Sequence, residues 1–419
     1  MKAKVLELAV QSSCPEKDCL KCFECLFQPV LKILSITGMY GCFSDQKKNT
    51  PEEELINKRR MLLGKVLNLC LWAYFGRCFL LMFTFIPGFY DVLGTHWILA
   101  RFMYHRKPAL SPLVIVASYF FRCATISGMF NKPSKPSKTR KSLAVLWEEV
   151  KAVTAEHRQT EFDLSHMERA LAFGVYPFMI FASMAFTLPY AYTCYSHLAD
   201  KYGFALAMLS VLPMLGVHFI AYAIWLSSVL CFVVISSSLT KRFVEVTRDL
   251  IRMQQSPEPG VTGDLDGAQL KHHKMCNVVQ AADRLFQSYL FCSYVMFIPE
   301  TCYGLFQLIF ITRGATYQLY LGWMVAVGLA TFLSLSLTAA SVSGAAHSCQ
   351  GPIRGLSVKD LTLDQHVKIT MFLERLSGPT IGLSCLDLFV VTKGVVLSVA
   401  SAVVTYFLIF VQFNSDDDK

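Results

Sequence analysis

Apolar residues run along this chain in long blocks rather than in alternation with polar ones. Seven blocks, near 61–87, 109–130, 169–192, 206–238, 286–312, 318–345 and 391–413, carry few charges. At 1.5 Å per residue, each is long enough to cross a hydrocarbon core of roughly 30 Å as a helix. The fourth is long enough to continue beyond the bilayer, and the helical spacing over 241–253 extends it further. Between the blocks lie a basic segment (131–168), a polar loop (239–285) and a 45-residue loop (346–390). The connections at 193–205 and 313–317 are short. No internal repeat is visible, which weighs against an inverted-repeat transporter. The pattern predicts an all-α membrane protein with seven transmembrane helices.

Composition agrees. Of 419 residues, 54% are apolar and only 16% charged, against about 25% charged in soluble domains. Met1-Lys2-Ala3-Lys4 leads into a polar, Cys-rich stretch rather than a short apolar core, so no cleavable signal is expected and the first span would start insertion. No Asn-x-Ser/Thr acceptor occurs, which fits a protein with little mass outside the cell.

Charge placement orients the chain. With the N-terminus inside, the segments 1–60, 131–168, 239–285 and 346–390 carry 28 Lys and Arg, while 88–108, 193–205, 313–317 and 414–419 carry 6. Positive residues collect on the cytosolic side, so the N-terminus is expected in the cytosol and the acidic tail 414–419 outside. The net charge of +9 is then mostly this bias, and no nucleic-acid partner is implied.

The last block has a second layer of information. On a helix advancing about 100° per residue, Ser398, Ser401, Thr405, Ile409 and Gln412 fall within roughly an 80° arc, and the remaining surface is Val, Ala, Leu, Ile and Phe. One narrow polar stripe on a membrane helix faces either partner helices or water. Packing contact and pore wall both satisfy that pattern.

The same segment resembles a known family. Thr405-Tyr406, five apolar residues, then Gln412-Phe413 is similar to the signature that closes the final helix of invertebrate gustatory receptors. Leu386-Asp387-Leu388-Phe389 resembles the odorant co-receptor branch just before its last helix, and Phe27 to Tyr40 resembles the short stretch ahead of the first span. The resemblance implies a ligand-gated, non-selective cation channel in the plasma membrane, a homotetramer whose last helices line one pore. It implies a pore helix over 391–413, with its constriction at Ile409, Gln412 and Phe413 and its wall continued by Thr405, Ser401 and Ser398. It also implies that 346–390 anchors subunits to one another on the cytosolic side, joining the inner ends of helices four to six. The implied partners are a small-molecule ligand, monovalent cations with divalent ions as an extension, and membrane lipid. A cofactor is not expected. A taste role follows from the family, with light or peroxide sensing or development as alternatives.

Spacing supports the constriction, since i, i+3 and i+4 share one helix face. Rings of Ile409 and Phe413 could close a pore by dewetting while Gln412 offers a neutral dipole to a hydrated cation.

A ligand site in the six-helix part, 61–345, is expected where the outer halves of spans two to six meet. Candidates there are Phe186, Met214, His218, Glu300, Tyr303, Phe306 and Trp323, aromatics and polar edges that suit a small molecule. An interfacial belt explains Tyr190, Tyr192 and Tyr320 better. Glu300 is an intramembrane charge that could pair with Arg77 or Arg122, which could equally snorkel to an interface. Cys14, Cys19, Cys22 and Cys25 admit palmitoylation, metal binding or no role.

Other classes fit less well. No Asp/Glu-Arg-Tyr follows span three and no Asn-Pro-x-x-Tyr occurs, so the G-protein-coupled reading is the alternative. No catalytic constellation is visible, and His272-His273 is expected in a loop.

Overall fold

A computed structural model describes residues 203–255, 262–310, 315–355 and 363–416 as continuous stretches, with further residues within 59–76, 121–125, 146–150 and 175–196. Helical residues at 62–73 and 178–186 fall inside the first and third expected spans. Arg77, Arg122, Tyr190 and the four N-terminal cysteines lie outside the described residues.

The four latter spans become long helices. Helix α1 covers Phe204–Gln255, α2 Thr262–Phe310 and α3 Ala315–His347. The 52 residues of α1 make a rod of about 78 Å at 1.5 Å per residue. Of the polar loop expected over 239–285, residues 239–255 and 262–285 are therefore helix. α1 runs on to Gln255 and α2 begins at Thr262, because the polar residues there belong to helix surfaces that leave the apolar layer.

Every residue from Ala221 to Ser236 is buried. A helix apolar around its whole circumference belongs inside a bundle, and α1 packs against α2 and α3. Ser228 and Ser238 donate back to the carbonyls of Ile224 and Val234 at 2.8 and 2.9 Å, which lets hydroxyls sit in this core. α3 approaches closely through Ala339, Ala340, Ser343, Ala345 and Ala346, all buried, as small residues permit. Gly304 of α2 works the same way, since a Cβ there would collide with Val325 of α3.

A second, smaller core lies at the far end of these rods. Val246 and Leu250 of α1 and Leu265 and Ala268 of α2 pack with Cys349, Ile353, Phe372 and Leu376. The last four come from the end of α3 and two added helices, α4 (Gln350–Arg354) and α5 (Leu363–Ser377). α5 is amphipathic, with Asp364 in its first turn and Arg375 in its last, signs that suit the helix dipole. It ends at Gly378-Pro379, as proline demands.

A two-stranded hairpin follows, with β1 (Ser384–Cys385) pairing antiparallel to β2 (Phe389–Val390). Its tip holds Leu386 and Asp387 at φ 50° and 57°, the left-handed region that L-residues enter at a cost of about 1–2 kcal/mol. Helix α6, Lys393–Asp416, then completes the chain's described part.

Candidate functional site

α6 touches the bundle along one line. Val396 and Val403 are buried, with Val399, Phe407 and Val411 half-buried on the same side, and α2 is the main neighbour. The Cys302 thiol of α2 donates to the Val403 carbonyl at 3.7 Å. Helical geometry sets Ser398, Ser401, Thr405, Ile409 and Gln412 about 180° away from that line, and all five are exposed. The hydroxyls of Ser398, Ser401 and Thr405 donate to the carbonyls of Gly394, Leu397 and Ser401 at 3.0, 3.0 and 2.9 Å. Their donors are therefore satisfied within α6 itself, and the stripe is not interhelical packing against α2 or α3. Tyr406 is half exposed on one flank, and Leu397, Val404 and Leu408 are exposed on the other. Phe413 lies on the helix, but its side chain is outside the described residues.

The hairpin fastens the start of α6 to α2. Ser384 N–H donates to Asp283 Oδ1 at 2.5 Å, and Ser384 Oγ donates to Asp283 Oδ2 at 3.1 Å. Asp387 lies on the other side of that hydroxyl, 3.3 Å away through Oδ1, and its own N–H donates back to Ser384 Oγ at 3.3 Å. One hydroxyl proton thus has two carboxylates to choose between. Burial pushes the Asp283 carboxyl above the usual aspartate range, with Asp387 adding to the rise and the Ser384 bonds opposing it. Phe389 packs edge-on against Tyr294 of α2, centroids 5.9 Å apart. Gly382 sits so close to α3 that a Cβ there would lie 2.6 Å from Val390 and 3.1 Å from Ser343.

His272 joins the two cores, which corrects its expected place in a loop. It is wholly buried on α2, between the rings of Phe243 at 5.2 Å and Phe372 at 5.3 Å. Nε2–H donates to the Ala346 carbonyl at 3.0 Å, leaving Nδ1 to accept from the Cys276 thiol at 3.5 Å. Burial lowers the His272 pKa, opposed by the Ala346 bond and helped by Arg375, His347 and His273. Burial likewise pushes Cys276 up to about 11, so its proton stays available. His273, next along and half-buried, accepts at Nδ1 from Arg375 Nη2 at 2.5 Å.

Among the ligand candidates, the structure brings Phe186 and Trp323 together, stacked with centroids 4.9 Å apart. Trp323 Nε1–H donates to the buried Ser183 hydroxyl at 3.1 Å. On α1, the Tyr222 hydroxyl meets the Met324 sulfur, and Tyr222 tilts against Trp225 at 6.3 Å. His218, buried, stands one turn before Tyr222. Ser183, Tyr222 and Met324 were not legible as members of this cluster; the indole N–H of Trp323, which needs an acceptor when half-buried, was the available sign. Glu300, Tyr303 and Phe306 follow one another, half-buried, on α2, near the Gly304–Val325 approach. The Met214 side chain is outside the described residues. Among the described residues, no group of three or more His, Cys, Asp or Glu could hold a metal ion.

The family model for the 7tm chemosensory receptor matches residues 139–416. The chain belongs to that family. The receptor is thereby membrane-embedded and lies outside the enzyme families. Its fold is similar to the insect olfactory receptor OR5 from Machilis hrabei. For OR5 in complex with eugenol the TM-score is 0.63 at 14% identity, covering 92% of this chain and 97% of that one. For OR5 alone it is 0.66 at 12%, with the same coverage. No curated protein matches the receptor by sequence. The invertebrate chemoreceptor resemblance read from Thr405 to Phe413 is thus confirmed at the level of the superfamily.

Proposed function

We propose that the receptor is a chemosensory, ligand-gated, non-selective cation channel, a homotetramer of seven-span subunits in the plasma membrane with α6 of each copy facing a common pore. The observation that carries this reading is the polar stripe of α6, exposed opposite the line along which it packs on the bundle, with hydroxyls bonded to their own helix. Such a stripe offers carbonyl and hydroxyl dipoles to water and cations. A helix held along one line leaves the rest of its surface for other copies and lipid. Ser398, Ser401 and Thr405 then line the lumen, and Ile409, Gln412 and Phe413 form its narrow outer end. The N-terminus is cytosolic and the C-terminus extracellular, which puts α4, α5 and the second core in the cytosol as the layer that joins subunits.

The ligand is a small, partly aromatic molecule held in the outer half of the bundle around Phe186, His218 and Trp323, with Glu300, Tyr303, Phe306 and Met214 on the adjoining helices. That OR5 binds eugenol supports this class of ligand. The ending Thr405 to Phe413 favours a taste role over an olfactory one.

The test is current from cell-attached and nucleotide-free excised patches of cells expressing the receptor, screened against tastants, volatile aromatics and light. The expected result is a ligand-evoked cation current in excised patches, with permeability ratios altered by Gln412→Ala. A response that needs cytosolic nucleotide or G protein, or currents that Gln412→Ala and Ile409→Ala both leave unchanged, overturns the reading.

A further inference from the structure

A cavity of about 600 Å³ opens beside the start of α6, bounded by the end of α3, the first residue of α4, the end of α5 and residues 392–393. Its chemistry is unlike that of the ligand cluster. α3 contributes Ser343 and His347, α5 and its turn contribute Ser377 and Thr380, and α6 contributes Thr392 and Lys393. No aspartate or glutamate lines it, and Ala340 and Leu376 are the larger apolar contributors.

Two features give the cavity a positive character. Lys393 is exposed and, among the described residues, has no ion-pair partner. The first turn of α6 has its Val395 N–H capped by Thr392 Oγ1 at 3.4 Å, leaving the N–H groups of Lys393 and Gly394 as orphan donors at the positive end of a 24-residue helix. The space is open as well as polar, since nothing lies within 4 Å of where a Gly344 Cβ would be.

We infer that this cavity binds a phosphate-bearing anion, either the head group of an anionic inner-leaflet lipid or a soluble organic phosphate. A volume of about 600 Å³ is in the range of small-molecule sites and larger than inorganic phosphate requires. Lys393 stands where the apolar run of α6 begins, the depth of lipid phosphates in the orientation proposed above, on which the lipid source rests. Occupancy there ties α3, α5 and α6 through one ligand and holds the inner end of the pore helix.

The test is equilibrium binding to the purified full-length receptor in detergent, which needs no channel current and so fails separately from the channel reading. The probe is fluorescent dioctanoyl phosphatidylinositol 4,5-bisphosphate, with dioctanoyl phosphatidylcholine as control and inositol 1,4,5-trisphosphate as competitor. Lys393→Gln should weaken binding about tenfold, as loss of a charge-assisted hydrogen bond does, and Lys393→Arg should retain it. Gly344→Leu should fill the cavity and abolish binding without lowering the thermal midpoint, since leucine is the better helix former. Full displacement by inositol trisphosphate identifies the soluble source, and resistance to it the lipid source. Absence of saturable binding, or binding that Lys393→Gln and Gly344→Leu both leave unchanged, overturns the inference.

Discussion

Removing the Asp283 carboxylate should release the hairpin that leads into α6. In Asp283→Ala, Ser384 N–H and Oγ lose their α2 acceptor, and Ser384 is 4% exposed, so water cannot easily replace it. A buried donor left without a partner costs about 1–3 kcal/mol, and bonds to a charged acceptor contribute about 1.5–3 kcal/mol. Part is offset because an ionised carboxylate is no longer held in a site that disfavours it. A net of about 2 kcal/mol raises the undocked population about thirtyfold. Amide exchange read by mass spectrometry should quicken by that factor over 383–391, while the middle of α3 stays unchanged. Ser384→Ala removes only the hydroxyl bonds and should show a smaller effect, about 1 kcal/mol. Equal exchange in wild type and Asp283→Ala, or a uniform increase across the receptor, would refute the docking role.

Other outcomes follow from the same geometry. A histidine whose folded pKa is lowered contributes stability that is full above the unfolded value of 6.5 and lost as pH falls below it; His272→Phe should remove this acid sensitivity while costing about 1 kcal/mol for the Ala346 bond, as read by thermal unfolding at pH 5.5 and 7.5. Asp283 has the opposite sign, its raised pKa making stability fall as pH rises from 3.8 through the folded value and level off above, and Asp283→Asn should flatten that slope. Gly382→Ala should destabilise by about 1–3 kcal/mol through overpacking against Val390 and Ser343, seen as a lower thermal midpoint. Ser401→Ala removes an exposed hydroxyl with little change of volume and should leave stability within about 0.5 kcal/mol, yet change single-channel conductance.

The four latter spans were legible because a block of apolar residues longer than about 18 reports a helix by length alone. The stripe from Ser398 to Gln412 was legible for a related reason, since 100° periodicity survives without any knowledge of neighbours. What lay hidden depended on pairs far apart in the chain. Nothing near Asp283 announces a partner at Ser384, 101 residues on. His272 stands in a polar stretch whose apolar face is divided between two cores, so the periodicity that would mark a buried helix is weak there. The hairpin tip carried no glycine or asparagine to mark its positive φ, only Leu386 and Asp387. Phe186 and Trp323 were named by type, but their stacking, and the Ser183 bond that fixes the indole, emerge only from the packing.

The unbroken length of α1 has a mechanical consequence. A rod of about 78 Å, from 52 residues at 1.5 Å each, moves its far end by about 4 Å when it tilts by about 3°. It has no joint at the boundary between the two cores, so a small rotation at one end is carried to the other and grows with distance. α6 is less than half as long and, among the described residues, is gripped along one line and through a hairpin. Where long levers meet a short, loosely gripped piece, displacement collects in the short piece, and here that piece is the helix proposed to bound the conducting path.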